Sequence, residues 1–95
     1  MTRPQPSPSL AEAAQLFRLL GEPTRLRLLL FLAARGEAPV GALVEAAGQS
    51  YATTSNHLVQ LRLTGVVTPR REGKRMYYRV ISPLAADLVR RACGG

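Results

Sequence analysis

The chain has 95 residues, enough for one domain with a modest core, and cores of this size gain from a dimer that buries further apolar surface. Lys and Arg number 13 against 6 Asp and Glu, a formal charge of +7; twelve of the 13 cations are Arg, a bias toward forked contacts with phosphate and guanine over simple solubility. The single cysteine, Cys93, excludes an internal disulfide, no Cys/His pair has metal-ligand spacing, and the longest apolar run, Leu28 to Ala34, is far too short to span a bilayer.

Residues 1–8 hold Pro4, Pro6 and Pro8 among small polar residues and read as a flexible arm, with the folded domain expected over residues 9–93. Arg3 reads as tail charge rather than a phosphate contact. No basic stretch followed by an apolar one is present here, so no signal peptide is expected. Ser9 and Glu12 have the spacing of a capping box, which predicts a first helix. Leu10, Ala13, Ala14, Phe17 and Leu20 follow at three- and four-residue intervals, and Gly21 ends the segment. A helix this apolar on so small a domain is expected to cover a partner subunit as well as its own core. Pro23 suits the first position of a second helix, dense in leucine and therefore central, that Gly36 stops. Arg25 and Arg27 are expected on its exposed side, as surface charge or an ion pair with Glu22.

Val40 to Ala47 predicts a short helix with Val40, Leu43, Val44 and Ala47 inward. Gly48-Gln49-Ser50 then turns the chain, and Ser50 suits the N-cap of a fourth helix that ends before Gly65. Thr54, Leu58 and Leu61 fall at i, i+4 and i+7 and give this helix a core face. Ala52, Thr53, Asn56 and Gln60 point the other way, with Tyr51 and Ser55 on the flank. A solvated face ordinarily carries Lys and Glu. This one is short-chained, polar and free of carboxylates, and no acid lies between Glu45 and Glu72. Such a face suits hydrogen bonding to base edges beside phosphates. Short helix, glycine-containing turn and second helix make a helix-turn-helix pattern. His57, the only histidine, has no partners for a metal; a hydrogen bond holding the helix, or a phosphate contact, is the expected role.

After Gly65 the period changes from 3.6 to 2. Val66 to Arg71 and Arg75 to Ile81 read as two strands joined at Glu72-Gly73-Lys74. Met76, Tyr78 and Val80 share the inward face, and Pro69 suits an edge strand. Arg70, Arg71, Lys74, Arg75 and Arg79 flank the tip with Glu72 as the only offset. Edge strands carry charge to avoid aggregation, but five cations against one acid exceed that need. Tyr77 and Tyr78 read as strand packing, since single-strand binders present more aromatics than the five here. Ser82-Pro83 starts a last helix with Leu84, Leu88 and Ala92 on one stripe and Ala85 and Val89 beside it. Cys93 sits past the last periodic leucine and reads as incidental. The expected fold is mainly α with a small β-hairpin (α+β), a winged helix-turn-helix of four helices, two strands and a fifth helix. Dimerisation is expected through Leu10, Ala13 and Phe17 of the first helix and Leu84, Leu88 and Ala92 of the last.

Three stretches, Leu20–Leu30, Ser50–Leu58 and Arg70–Arg79, resemble the ArsR-type (ArsR/SmtB-like) bacterial repressors, in the right order and spacing over roughly residues 10 to 92. The resemblance implies a dimeric winged helix that represses transcription from an inverted-repeat operator in double-stranded DNA, in a bacterial cytoplasm and on the nucleoid when bound. The family often carries two thiols, one residue apart, in the helix before the turn. The matching positions here are Pro39 and Gly41, which bind no metal through a side chain. A second family site uses an Asp and a His two apart in the last helix; here Asp87 is followed by Val89, and that helix has no His. No metal and no cofactor is therefore expected. Tyr51 stands where the family frequently has Gln and Ala52 where it has Ser. That leaves Tyr51 to stack on a sugar or meet a thymine methyl, and Ala52 only a methyl contact.

The expected DNA contacts are Ser50, Tyr51, Ala52, Thr53, Ser55, Asn56, His57 and Gln60 of the reading helix, and Arg70, Arg71, Lys74 and Arg75 of the wing. The competing expectation is a winged helix used only for protein contact, antirepressor-like, with sequence-blind DNA affinity. Enzyme chemistry is not expected: no nucleophile is paired with a base, and there is no phosphate loop.

Overall fold

Five helices carry a three-stranded sheet on one side of their core in the structure, a computed structural model that describes residues 9–94. The arm expected over residues 1–8, with Arg3, lies outside the described residues, as does Gly95. Helix α1 spans Leu10–Leu20, and the Ser9 Oγ accepts from the Glu12 N–H at 3.1 Å. Helix α2, Pro23–Arg35, starts on the Glu22 carboxylate, which accepts from the Arg25 N–H at 2.9 Å. Helix α3 spans Val40–Ala47 and α4 spans Tyr51–Leu63. Between them Gly48 takes φ 65°, a conformation that costs a side-chain-bearing residue and lets the chain turn within three residues. The Ser50 Oγ then accepts from the Thr53 N–H at 3.1 Å and starts α4. Helix α5, Pro83–Ala92, is capped in the same way by Ser82.

Strand β1 is Ala38–Pro39, a two-residue strand that the periodicity did not predict. It sits between α2 and α3 and adds a third member to the expected hairpin of β2, Val67–Glu72, and β3, Arg75–Val80. The sheet order is β1-β3-β2, antiparallel throughout, so β2 is an edge strand and Pro69, which has no N–H to give, lies on it. The tip tightens to Gly73-Lys74, because Glu72 and Arg75 still pair. Gly73 takes φ 61° at the first central position, where a short hairpin loop needs a positive φ.

The core is built around α2. Leu28, Leu29 and Leu32 are buried against Leu43 and Ala47 of α3, Leu58 and Leu61 of α4, Val66, Val67 of β2, and Ala85 and Val89 of α5. Each fully buried leucine contributes about 1.5–3 kcal/mol, so the spacing of Thr54, Leu58 and Leu61 fixes which face of α4 is turned inward. On the sheet, Val80 and Tyr78 pack on the core as expected. Their register partners Val67 and Pro69 share that side, while the pairs Thr68–Arg79, Arg70–Tyr77 and Glu72–Arg75 occupy the outer side.

Candidate nucleic-acid interface

Burial of Thr54, Leu58 and Leu61 leaves the opposite side of α4 open. Ala52, Thr53, Asn56 and Gln60 are exposed there, Ser55 is half-buried, and Tyr51 stands at the start of the helix with 65% of its surface free. Ser50 is occupied in starting the helix: its Oγ donates to the Thr53 Oγ1 at 3.0 Å as well as accepting the Thr53 N–H. Among the described residues, one buried side-chain oxygen, Thr54 Oγ1, has no hydrogen-bond partner.

His57 turns toward α2. Its side chain is 18% exposed, with Nε2 3.8 Å from the Glu22 carboxylate and Nδ1 3.5 Å from the Arg25 guanidinium. This is the helix-holding contact foreseen as one of its two roles. Arg25, expected on an exposed side, is half-buried instead: its Nε donates to the Leu19 carbonyl at 2.6 Å, at the end of α1. Arg27 likewise donates to the Ala47 carbonyl at 3.2 Å and satisfies the C-terminal end of α3. Glu22 is held below the ordinary carboxylate range: desolvation works against the charge, but the hydrogen bond from the Arg25 N–H and the nearby Arg25 guanidinium help outweigh it.

The wing cations divide into two groups. Arg70 is paired: it donates to the Glu37 carboxylate through Nε at 3.0 Å and Nη2 at 2.6 Å, donates to Glu72 at 3.1 Å, and lies over the Tyr77 ring at 4.9 Å. Glu37 was not among the expected offsets. Arg70 holds its carboxyl below the ordinary range chiefly through those hydrogen bonds. Arg71, Lys74 and Arg75 are exposed, and among the described residues no carboxylate forms an ion pair with them. Lys74, Arg75 and Met76 form one wall of an open groove of about 480 Å³, with Tyr51 and the Pro39–Ala42 segment forming the rest. The start of α4 and the wing tip thus share one concave, cationic surface.

A second surface lies at the far ends of the chain. Leu10 is 88% exposed, Phe17 63% and Leu84 49%; Ala92 is also exposed, and Ala13 and Leu88 are half-buried. Phe17, Leu88 and Ala92 come together around an apolar groove of about 230 Å³ with Leu20, Gly21, Leu26 and Val89. Asp87 is paired with Arg91 at 3.3 Å, and Cys93 is exposed at the end of α5. Among the described residues no helix is long and apolar enough to cross a membrane.

A family profile describing a helix-turn-helix domain matches residues 20–70. A probable mercury resistance operon repressor of Streptomyces lividans is 47% identical over 76 residues, 80% of this chain and 60% of that protein. The arsenical resistance operon repressor of Escherichia coli is 41% identical over 66 residues, 70% of this chain and 56% of that protein. The chain therefore spans less than two thirds of the length of these two relatives. The solution structure of a homodimeric winged helix-turn-helix DNA-binding domain from Mycobacterium bovis, described as a possible ArsR-family transcriptional regulator, superposes with a TM-score of 0.78. It is 35% identical, over 90% of this chain and 78% of that one.

Proposed function

The chain belongs to the ArsR family of winged helix-turn-helix transcriptional repressors, and from that premise we propose that it acts as a homodimer on an inverted-repeat operator. Two protomers pair through the exposed apolar stripes of α1 and α5. Their α4 helices then face one side of B-DNA, roughly 34 Å apart, and enter successive major grooves. Ser55 and Asn56, with Tyr51 and Thr53, read base edges. Arg71, Lys74 and Arg75 hold phosphates or reach a minor groove. Bound at a promoter in the cytoplasm, the dimer blocks polymerase.

The observation that carries this reading is the carboxylate-free outer face of α4 beside Arg71, Lys74 and Arg75, which have no ion pair among the described residues. The residues at the familiar family metal positions, Pro39 and Gly41, offer no side-chain donor atom, and Val89 stands where the second ligand would follow Asp87; this supports a repressor that does not sense metal through either site. The test is a retardation titration on the chain's own upstream region against a scrambled duplex of equal length, at several salt concentrations. Tighter binding to the upstream duplex than to the scrambled one, strengthening as salt falls, is expected. Equal, weak binding to both duplexes overturns the operator reading and favours a protein-contact module.

A further inference from the structure

We propose that Glu37 and Arg70 form a strap that sets the angle of the wing, and that Arg70 is a positioning residue rather than one of the phosphate contacts. The inference rests on the DNA-binding reading above. Arg70 stands on β2, the edge strand, and pairs in register with Tyr77 of β3. Tyr77 pairs on its other side with Pro39 of β1. The Arg70 side chain crosses over the Tyr77 ring at 4.9 Å and reaches Glu37, the residue just before β1, with two hydrogen bonds of 2.6 and 3.0 Å. One side chain therefore spans the whole width of the sheet on the side away from the core.

The sheet needs such a fastening at this point. Strand β1 is two residues long, and one of them is a proline that donates nothing to the ladder. Yet β1 runs directly into α3, and α3 into the turn before α4. The junction of β1 with the hairpin thus fixes the wing tip relative to the reading helix. A forked guanidinium on a carboxylate, stacked on an aromatic ring, is the kind of exposed pair that holds one geometry. Charge argues in the same direction. Arg70 lies between two carboxylates, Glu37 and Glu72, so this cluster is a poor target for a DNA phosphate. Arg71, Lys74 and Arg75 have no such neighbours paired to them among the described residues and are left to make the contact.

Two measurements test the strap on the full chain. The first uses the free protein. Amide hydrogen exchange in β1 and β2 is expected to quicken by about three- to fivefold in Glu37→Gln, Arg70→Gln and Arg70→Lys alike. The double variant E37Q/R70Q is expected to be no faster than either single one. The second is operator titration across salt. All three single variants are expected to weaken binding by a similar few-fold factor with the wild-type salt slope. Arg70→Lys separates the two roles, since a lysine keeps a phosphate contact but loses the fork and the stacking. Unchanged exchange in all three variants overturns the proposal, whatever the DNA results. So does tighter operator binding by Glu37→Gln together with a salt slope reduced by about one in Arg70→Gln, because Arg70 would then be a phosphate contact held back by Glu37. A wild-type protein that ignores every duplex sinks the operator reading alone, and the exchange experiment still decides the strap.

Discussion

Asn56 is exposed on the open face of α4, and its amide has the donor and acceptor needed for a bidentate contact with adenine. Replacing Asn56 by Ala is expected to relax preference at one operator position by about 1–3 kcal/mol, seen by titrating single-base operator variants, while thermal unfolding stays unchanged. On the opposite face Thr54 buries an oxygen with no partner among the described residues. Thr54→Val keeps the shape and removes the orphaned hydroxyl, so urea denaturation should show stability unchanged or raised, by about 1 kcal/mol at most. Leu58→Ala, by contrast, opens a cavity beneath the same helix and is expected to cost about 2–5 kcal/mol. Both faces of α4 were legible in the sequence, because burial follows the 3.6-residue period. The partners of His57, Arg25 and Arg27 were not. His57 meets Arg25 across 32 positions and Arg27 reaches Ala47 across 20, and local spacing carries no information about either pairing.

The wing is the element whose strands were legible in the sequence and whose ion pairing was not. Its strands alternate and its tip is marked by Gly73, so the hairpin followed from pattern. Strand β1 did not, since two residues, one a proline, are too few to show a period. Without β1 there was no reason to bring Glu37 near Arg70, and all the wing arginines looked alike. The structure distinguishes them. Arg75→Ala is expected to weaken binding to every duplex and to lower the salt slope by about one, measured by titration from low to moderate salt; an unchanged slope would remove the wing from the contact. The strap also carries a pH sign. The Glu37 carboxyl is held below its ordinary value, so its contribution is full above the unfolded value and is lost as pH falls through the folded one. Exchange in β1, corrected for its intrinsic pH dependence, is therefore expected to be flat from about pH 6 to 8 and to quicken only below about pH 4.

For the whole molecule, the wing cations Lys74 and Arg75 and the apolar stripes of α1 and α5 line different surfaces. Phe17→Arg places a charge in the apolar groove without touching α4 or the wing. The variant is expected to sediment as a monomer at micromolar concentration where the wild type is expected to sediment as a dimer, and to lose most operator affinity while keeping its helical content. The helices that carry the two surfaces are nevertheless joined by a polar contact. One guanidinium, that of Arg25, grips the final carbonyl turn of α1 with one nitrogen and faces the imidazole of α4 with another. In the proposed dimer, where α1 lies in the seam, Arg25 is a direct polar link from the end of that helix to His57 of α4, separate from the leucine core. On that proposal, the seam between the two halves and the helix that faces the groove are joined through the side chain of Arg25.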